Sequence, residues 1–445
     1  MINEFLALVN RNIFPIPIKD LLEKETDYYL VYAPLSDNAF VADPDYVRAM
    51  NDFLKGCPAD DKVNETMHQL NDYIPLSQRG GNIHSLDDFQ NLSVLPNNKC
   101  NFSCKYCYSA KGRSKNELLL EHFQAVLDKF IREDSHPRLT LCIYGGGEPL
   151  LSWEVLSEGI LYARSRAATY KKDLSINITT NGSIINEKIL TFLKQNKVTL
   201  VVTFEILEEI QNMQRGSYKL VASNIKTLID YGIVPSLNSV ITPENVERMD
   251  EMVYNVIENY PQVTYLCFDP IIDKDTFKTI AELKDYHQRY IQNFFHAREL
   301  AAENNIMVDC TAQISMDCTL ERYCPGELGL TAQGLLSICP CISSPEEDMF
   351  DDYVYGWVNE QLKVEIDQKK LDGLLSRNLY SAEGCNHCFA KYNCGGGCMH
   401  KNNILPDDYK EEVCSFTREF ARRFLLTRID KQQFEENKKH LSELI

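Results

Sequence analysis

The chain has 445 residues, more than one ordinary core accommodates, with apolar and charged fractions of 44% and 25% that are typical of globular proteins. Its 64 acidic and 46 basic residues leave a net charge of −18 spread along the chain, which excludes sequence-independent binding to nucleic-acid phosphates and offers no polybasic membrane patch. The first residues lack a basic signal region, and no run approaches the roughly 18 apolar residues of a membrane span, so a cytosolic protein is expected.

In chain order, residues 1–85 predict a small α+β unit. Tyr28–Pro34 and Ala39–Ala42 flank a polar turn and read as a β-hairpin. Asp43-Pro44-Asp45 carries helix start signals for Tyr46–Leu54, and a second helix is expected at Glu65–Ile74. Ser77-Gln78-Arg79-Gly80-Gly81 reads as a linker.

From about residue 90, strand and helix patterns alternate. Strands are predicted at Leu92–Pro96, Thr140–Tyr144, Leu174–Thr179, Thr199–Phe204, Val234–Ile241 and Val263–Phe268. Amphipathic helices fall between them, near Glu117–Glu133, Trp153–Tyr170, Asn186–Gln195, Tyr218–Tyr231 and Asn245–Asn259. The fold class is therefore α/β, with parallel βαβ units forming a partial, open (β/α)6 TIM-like barrel over 86–305. A long helical stretch, Asp275–Asn304, leads to a loop-rich region at 306–445 that ends in a helix from Phe416 onward.

Sixteen cysteines, ten of them between Cys310 and Cys414, need explaining in a cytosolic protein, and metal or cluster ligation explains them better than disulfides. Cys100, Cys104 and Cys107 follow the first predicted strand, at the strand end where parallel α/β folds bind ligands. Three thiolates at C-x3-C-x2-C spacing can hold a [4Fe–4S] cluster and leave one iron open, whereas a zinc knuckle would need a fourth ligand that Tyr108–Gly112 does not supply. With Tyr106 before the third cysteine, this resembles the signature of the radical S-adenosylmethionine (radical SAM) enzymes, in which the open iron binds SAM.

The resemblance extends to other strand ends. Gly145-Gly146-Gly147-Glu148 is similar to the family's glycine-rich segment at the methionine ammonium, and Thr179-Thr180-Asn181-Gly182 to a further family segment. Thr203-Phe204-Glu205 stands where the family has Ser-x-Asp at the ribose, and Asn212-x-x-Arg215 resembles the segment whose Arg binds the SAM carboxylate, with Asn for Asp as a departure. The resemblance thus implies SAM contacts at Tyr106, Gly145, Gly146, Gly147, Glu148, Asn181, Thr203, Glu205 and Arg215.

Downstream, Cys318-x5-Cys324, Gly334-x4-Cys339, Cys385-x2-Cys388-x5-Cys394-x3-Cys398 and Cys414 resemble the SPASM extension of these enzymes; zinc ribbons are the alternative. The resemblance implies two auxiliary [4Fe–4S] clusters, the nearer on Cys318, Cys324, Cys339 and Cys398, the farther on Cys385, Cys388, Cys394 and Cys414. Cys341 is a spare thiol beside the first.

These resemblances imply a peptide maturase that forms a 5′-deoxyadenosyl radical and oxidatively cross-links a ribosomally made peptide through a thioether or C–C bond. Its partners would be a precursor peptide with a leader and a reductant such as flavodoxin or ferredoxin. Residues 1–85 resemble the winged-helix leader-binding (RRE-like) elements of such maturases, the other reading being a lid on the barrel. The runner-up is an anaerobic sulfatase-maturating type that forms formylglycine from Ser or Cys. Those enzymes carry an Asp after the third ligand of the nearer cluster, where this chain has Pro340. A third reading, a non-catalytic peptide-binding Fe–S protein, predicts a lost signature cysteine, and none is lost.

Overall fold

The structure, a computed structural model, describes residues 4–19, 26–76, 83, 85–324 and 326–443; the linker expected at Ser77–Gly81 lies outside them.

The N-terminal unit is a three-stranded antiparallel sheet of β1 (Phe14–Pro17), β2 (Tyr29–Ala33) and β3 (Asn38–Ala42), in that order, with helices Pro44–Phe53 and Asp61–Asn71 against it. The hairpin and first helix form as expected: Asp43 accepts from the Tyr46 N–H at 2.9 Å, and Pro44 takes the first helical position, where no N–H is needed. The second helix starts earlier than expected because the Asp60 carboxylate caps it, accepting from Val63 N–H at 2.8 Å. β1 escapes sequence reading because its Phe-Pro-Ile-Pro pattern looks unlike a strand. It is tolerated as an edge strand that pairs only with β2, where prolines need not donate to a second neighbour.

The six predicted core strands are all present: β4 (Asn91–Val94), β5 (Arg138–Ile143), β6 (Asp173–Thr180), β7 (Val198–Thr203), β8 (Ser236–Ile241) and β9 (Tyr265–Pro270). A seventh parallel strand, β10 (Met307–Asp309), is too short to show periodicity. The cysteine-rich part is less loop-rich than expected. β11 (Leu328–Leu330) pairs parallel to β4, and β12 (Leu335–Ser337), β13 (Val354–Val358) and β14 (Val364–Ile366) follow antiparallel. The result is one open eleven-stranded sheet, β10-β9-β8-β7-β6-β5-β4-β11-β12-β13-β14, with no barrel closure. β11 places the cysteine-rich region directly beside the strand that delivers Cys100.

Helix Asp407–Asn437 packs on helix Ile280–Glu303 through Tyr290, Phe294, Phe416 and Phe420. Within that apolar seam His287 Nδ1 lies 2.9 Å from the Glu412 carboxylate. Burial pushes the ring's pKa down, opposed by the Glu412 carboxylate, which accepts from Nδ1–H. Among the described residues no helix is long and apolar enough to cross a membrane.

Helices Leu120–Phe130 and Trp153–Thr169 cross at Gly159, where an added Cβ would stand 2.1 Å from Cε1 of fully buried Phe123. A mid-helix Gly→Ala exchange normally gains about 1 kcal/mol. Here overpacking, about 1–3 kcal/mol, outweighs that gain. Gly159→Ala is expected to lower stability in urea unfolding; a raised midpoint would contradict the close crossing.

Candidate active site

The segment from β4 to Cys100 is held by its own side chains. Buried Asn97 donates Nδ2–H to Glu148 O at 3.0 Å and Ser152 Oγ at 2.8 Å, and its Oδ1 accepts from Lys99 N–H at 2.9 Å. The Gly145–Gly147 loop lies against this segment. Gly147 N–H donates to Asn97 O at 2.9 Å and Glu148 N–H to Lys99 O at 2.6 Å. Gly145 and Gly146 have φ of +70° and +63°, and a Cβ on Gly147 would meet Lys99 O at 1.8 Å. Glycine is therefore a steric requirement at this loop, independent of any ligand.

Cys104 lies within electrostatic reach of Cys100 and Cys107, so the three signature thiols are gathered. Arg113 joins them to the glycine loop: Nη2 donates to Cys107 Sγ at 3.0 Å and Nη1 to Gly146 O at 2.9 Å. Neither Asn97 nor Arg113 was anticipated. The available signal was position alone, three residues before the first cysteine and six after the last.

Glu148 is wholly engaged within the protein. Its carboxylate accepts from Thr180 Oγ at 2.6 Å, Asn181 N–H at 2.7 Å and Leu150 N–H at 3.1 Å, tying the glycine loop to the end of β6. Asn181 turns its amide toward Asn101 Oδ1, 2.9 Å away, and Cys100 Sγ, 4.0 Å away.

At the end of β7, Tyr106, Thr203, Glu205 and Arg215 form one network. Arg215 Nη1 donates to the Tyr106 hydroxyl at 2.9 Å and Nη2 to Thr203 Oγ at 2.5 Å. Tyr106 donates in turn to Glu205, which is fully buried and accepts as well from Ser239 Oγ at 2.6 Å and Val240 N–H at 3.0 Å. Burial pushes the Glu205 carboxyl up, and Arg215 opposes the shift. Burial alone would lower the Arg215 guanidinium, but Tyr106, Cys104 and Glu205 outweigh it and raise the group. The ribose contact expected of Glu205 meets a carboxylate whose two oxygens are already occupied by protein donors. Asn212 lies outside the network and accepts from Tyr218 N–H at 3.0 Å.

The donor set suits a SAM-binding cluster in one specific respect. Arg215 Nε is buried with no hydrogen-bond partner, a donor aimed from beside Cys104 that an incoming carboxylate would satisfy. Cys100, Cys104 and Cys107 would hold the cluster, the Gly145–Gly147 loop the amino-acid end of SAM, and Arg215 its carboxylate. When bound, such a cofactor would supply a carbon-centred radical, which these residues would orient and shield from water.

All sixteen cysteines are free thiols. Cys385, Cys388, Cys394 and Cys414 lie within electrostatic reach of one another. Cys398 likewise reaches Cys324 and Cys339, whereas Cys318 is exposed, its thiol turned to the carbonyls of Ile314 and Ser315 at 3.7 Å. Cys339 hydrogen-bonds the spare thiol of Cys341. Gly395 packs so closely that a Cβ would meet Tyr323 N at 2.3 Å, bringing the Cys394 turn against the approach to Cys324. Among the described residues no three ligand-type side chains close around a single ion. A four-iron cube, with one thiolate per iron, asks for wider spacing.

Residues 94–254 match the family model of the radical SAM superfamily, so the core that carries this site is a radical SAM domain. The radical SAM cyclopropyl synthase TigE of Paramaledivibacter caminithermalis is 25% identical over 202 residues, spanning 41% of this chain and 42% of that protein. A cysteine-type anaerobic sulfatase-maturating enzyme of Clostridium novyi is 20% identical over 354 residues, 73% of this chain and 92% of that one. In fold, the chain resembles the solved anaerobic sulfatase-maturating enzyme anSMEcpe with bound AdoMet, with a TM-score of 0.61 at 16% identity, covering 76% of this chain and 99% of that one. Over residues 94–254 the chain thus carries a radical SAM domain, and beyond it the chain is similar in sequence and fold to these radical SAM proteins.

Gly147→Ala is expected to cut 5′-deoxyadenosine formation by the reconstituted, reduced protein about a hundredfold, the cost of an ångström-scale displacement of reacting groups. Activity within twofold of wild type would show that the glycine loop does not set the site.

Proposed function

We propose that this protein uses SAM radical chemistry to mature a ribosomally made peptide, oxidatively joining two of its residues through a thioether or C–C bond. The observation that carries this reading is the N-terminal sheet. β3 is an edge strand, and beside it a groove of about 330 Å³ is lined by Tyr28, Phe40, Tyr46, Lys62, Thr66 and Gln69. An edge strand next to a helix-walled groove suits an extended peptide, which can pair with the strand while its side chains enter the groove. Residues 1–85 would thus hold a leader while the core acts on the segment that follows.

The C-terminal thiols would hold two auxiliary [4Fe–4S] clusters, the farther on Cys385, Cys388, Cys394 and Cys414, the nearer on Cys324, Cys339 and Cys398 with Cys318 turning inward. Such clusters supply one-electron acceptors, as a net oxidation requires. A flavodoxin- or ferredoxin-type reductant would deliver the first electron.

Formylglycine formation is favoured by likeness to the sulfatase-maturating enzymes, one of which has been solved with a bound peptide. Against it stands Pro340, which offers no base where those enzymes have Asp.

The test is anaerobic co-expression with the short peptide encoded beside the gene, followed by mass spectrometry. Loss of two hydrogens with fragmentation blocked between two residues is the expected result. An aldehyde that traps hydrazine would establish formylglycine instead. An unmodified peptide together with no 5′-deoxyadenosine would make this a binding protein. Cys104→Ala is expected to abolish 5′-deoxyadenosine while leaving iron at the C-terminal cysteines; persisting SAM cleavage would sink the cluster assignment.

A further inference from the structure

Glu327 takes no part in the site above, yet it is a half-buried carboxyl group held by two hydroxyls. It precedes β11, three residues after Cys324. Its Oε2 accepts from the Tyr144 hydroxyl at 3.1 Å and from the Ser93 hydroxyl, and these two hydroxyls are themselves 3.1 Å apart. Ser93 alternates along β4 with Leu92 and Val94, so it faces the other side of the sheet. There it shares a register row with Cys142 of β5, Asn177 of β6 and Thr199 of β7. Glu327 therefore stands on the polar face of the parallel sheet, at the seam where the cysteine-rich region joins it.

The seam lies between the two proposed cofactor regions. Tyr144 leads directly into Gly145, where a Cβ would meet the Tyr108 hydroxyl at 3.4 Å and Pro340 O at 3.5 Å. The titratable groups that feel the Glu327 charge are Cys142 from β5, Tyr144 just after it, Cys324 from its own segment, Cys341 from the loop after β12, and Tyr355 from β13. No cation is among the groups acting on Glu327, and burial pushes its carboxyl above the ordinary range, opposed by the two hydroxyls alone. Among the described residues nothing hydrogen-bonds Oε1. A carboxyl so placed can hold or release a proton where an exposed glutamate would stay ionised.

We propose that Glu327 is the proton acceptor for the oxidative step, an inference that rests on the peptide-maturase reading. The balance is simple. A substrate C–H gives its hydrogen atom to the 5′-deoxyadenosyl radical, which leaves as 5′-deoxyadenosine. The carbon radical then bonds to a second substrate atom, and the S–H or C–H bond broken there releases one proton and one electron. Glu327 Oε1 takes the proton; the electron passes to a one-electron acceptor of the iron–sulfur class in the cysteine-rich region. The carboxyl would thereby fill the role left empty at Pro340, from the segment before β11 instead of the loop after β12.

The test compares full-length, reconstituted wild type with E327Q and E327D. In infrared difference spectra of wild type against E327Q, a carboxylic C=O band absent from the variant should titrate above the ordinary glutamate value of about 4.3. Titration in the ordinary range would overturn the proposal. With the co-encoded peptide, E327Q should raise the ratio of 5′-deoxyadenosine to modified peptide about tenfold or more, and E327D should recover part of the coupling. An unchanged ratio, or equal loss of both products in both variants, would reduce Glu327 to a packing role. If wild type forms 5′-deoxyadenosine but leaves the peptide unmodified, the maturase reading has failed, and the infrared titration alone decides on Glu327.

Discussion

The backbone at Gly147 and the carbonyl of Lys99 approach so closely that no side chain fits between them. The bracing of the signature-cysteine loop follows from that approach. It aligns two N–H groups of the glycine loop with the carbonyls leading into Cys100, which places Glu148 where it meets the end of β6. From there Asn181 reaches back to the first cysteine and its neighbour. Two strand ends and the cysteine loop are thus braced by backbone and buried polar contacts before any cofactor arrives, the preorganisation a reactive radical requires.

Three glutamates, two buried and one half-buried, show how differently the fold treats the same side chain. Glu148 is held by backbone N–H groups and a hydroxyl, which makes it a structural cap. Glu205 has Arg215 within 3.7 Å as well as three hydrogen bonds, so its charge is compensated and holds the guanidinium in turn. Glu327 has hydroxyls only. Compensation is greatest at Glu205, which has a cation beside it, and least at Glu327, where a proton is exchanged most freely.

Much of this was legible in the chain. Alternating patterns located all six core strands, because buried parallel strands are apolar runs broken by polar loops. The signature thiols and the glycine loop could be read from composition at strand ends. What escaped notice was set by tertiary contact. β1 hides behind its prolines, and β10 is only three residues long. Attachment of β11 to β4 has no local pattern, since Leu-Gly-Leu gives no hint of a partner more than 230 residues away. The identity of Glu205 could be read as a ribose ligand, but its occupancy by Tyr106, Ser239 and Val240 could not. Glu327 was equally invisible, as nothing nearby in sequence points to its Ser93 and Tyr144 partners.

Two long-range contacts bear on how the chain comes together. The Tyr32 hydroxyl donates to Asn393 Oδ1 at 2.8 Å across 361 residues, and Arg422 donates to Pro17 O at 3.1 Å across 405. The amino-terminal sheet is finished early in synthesis, but at ribosomal rates of about 5–20 residues per second it waits tens of seconds for these partners. Asn393 also fastens the turn beside Cys394 to the carbonyls of Met316 and Cys318. Both contacts therefore form only once the chain from Asn393 onward has been made, so the amino-terminal sheet gains these fastenings last.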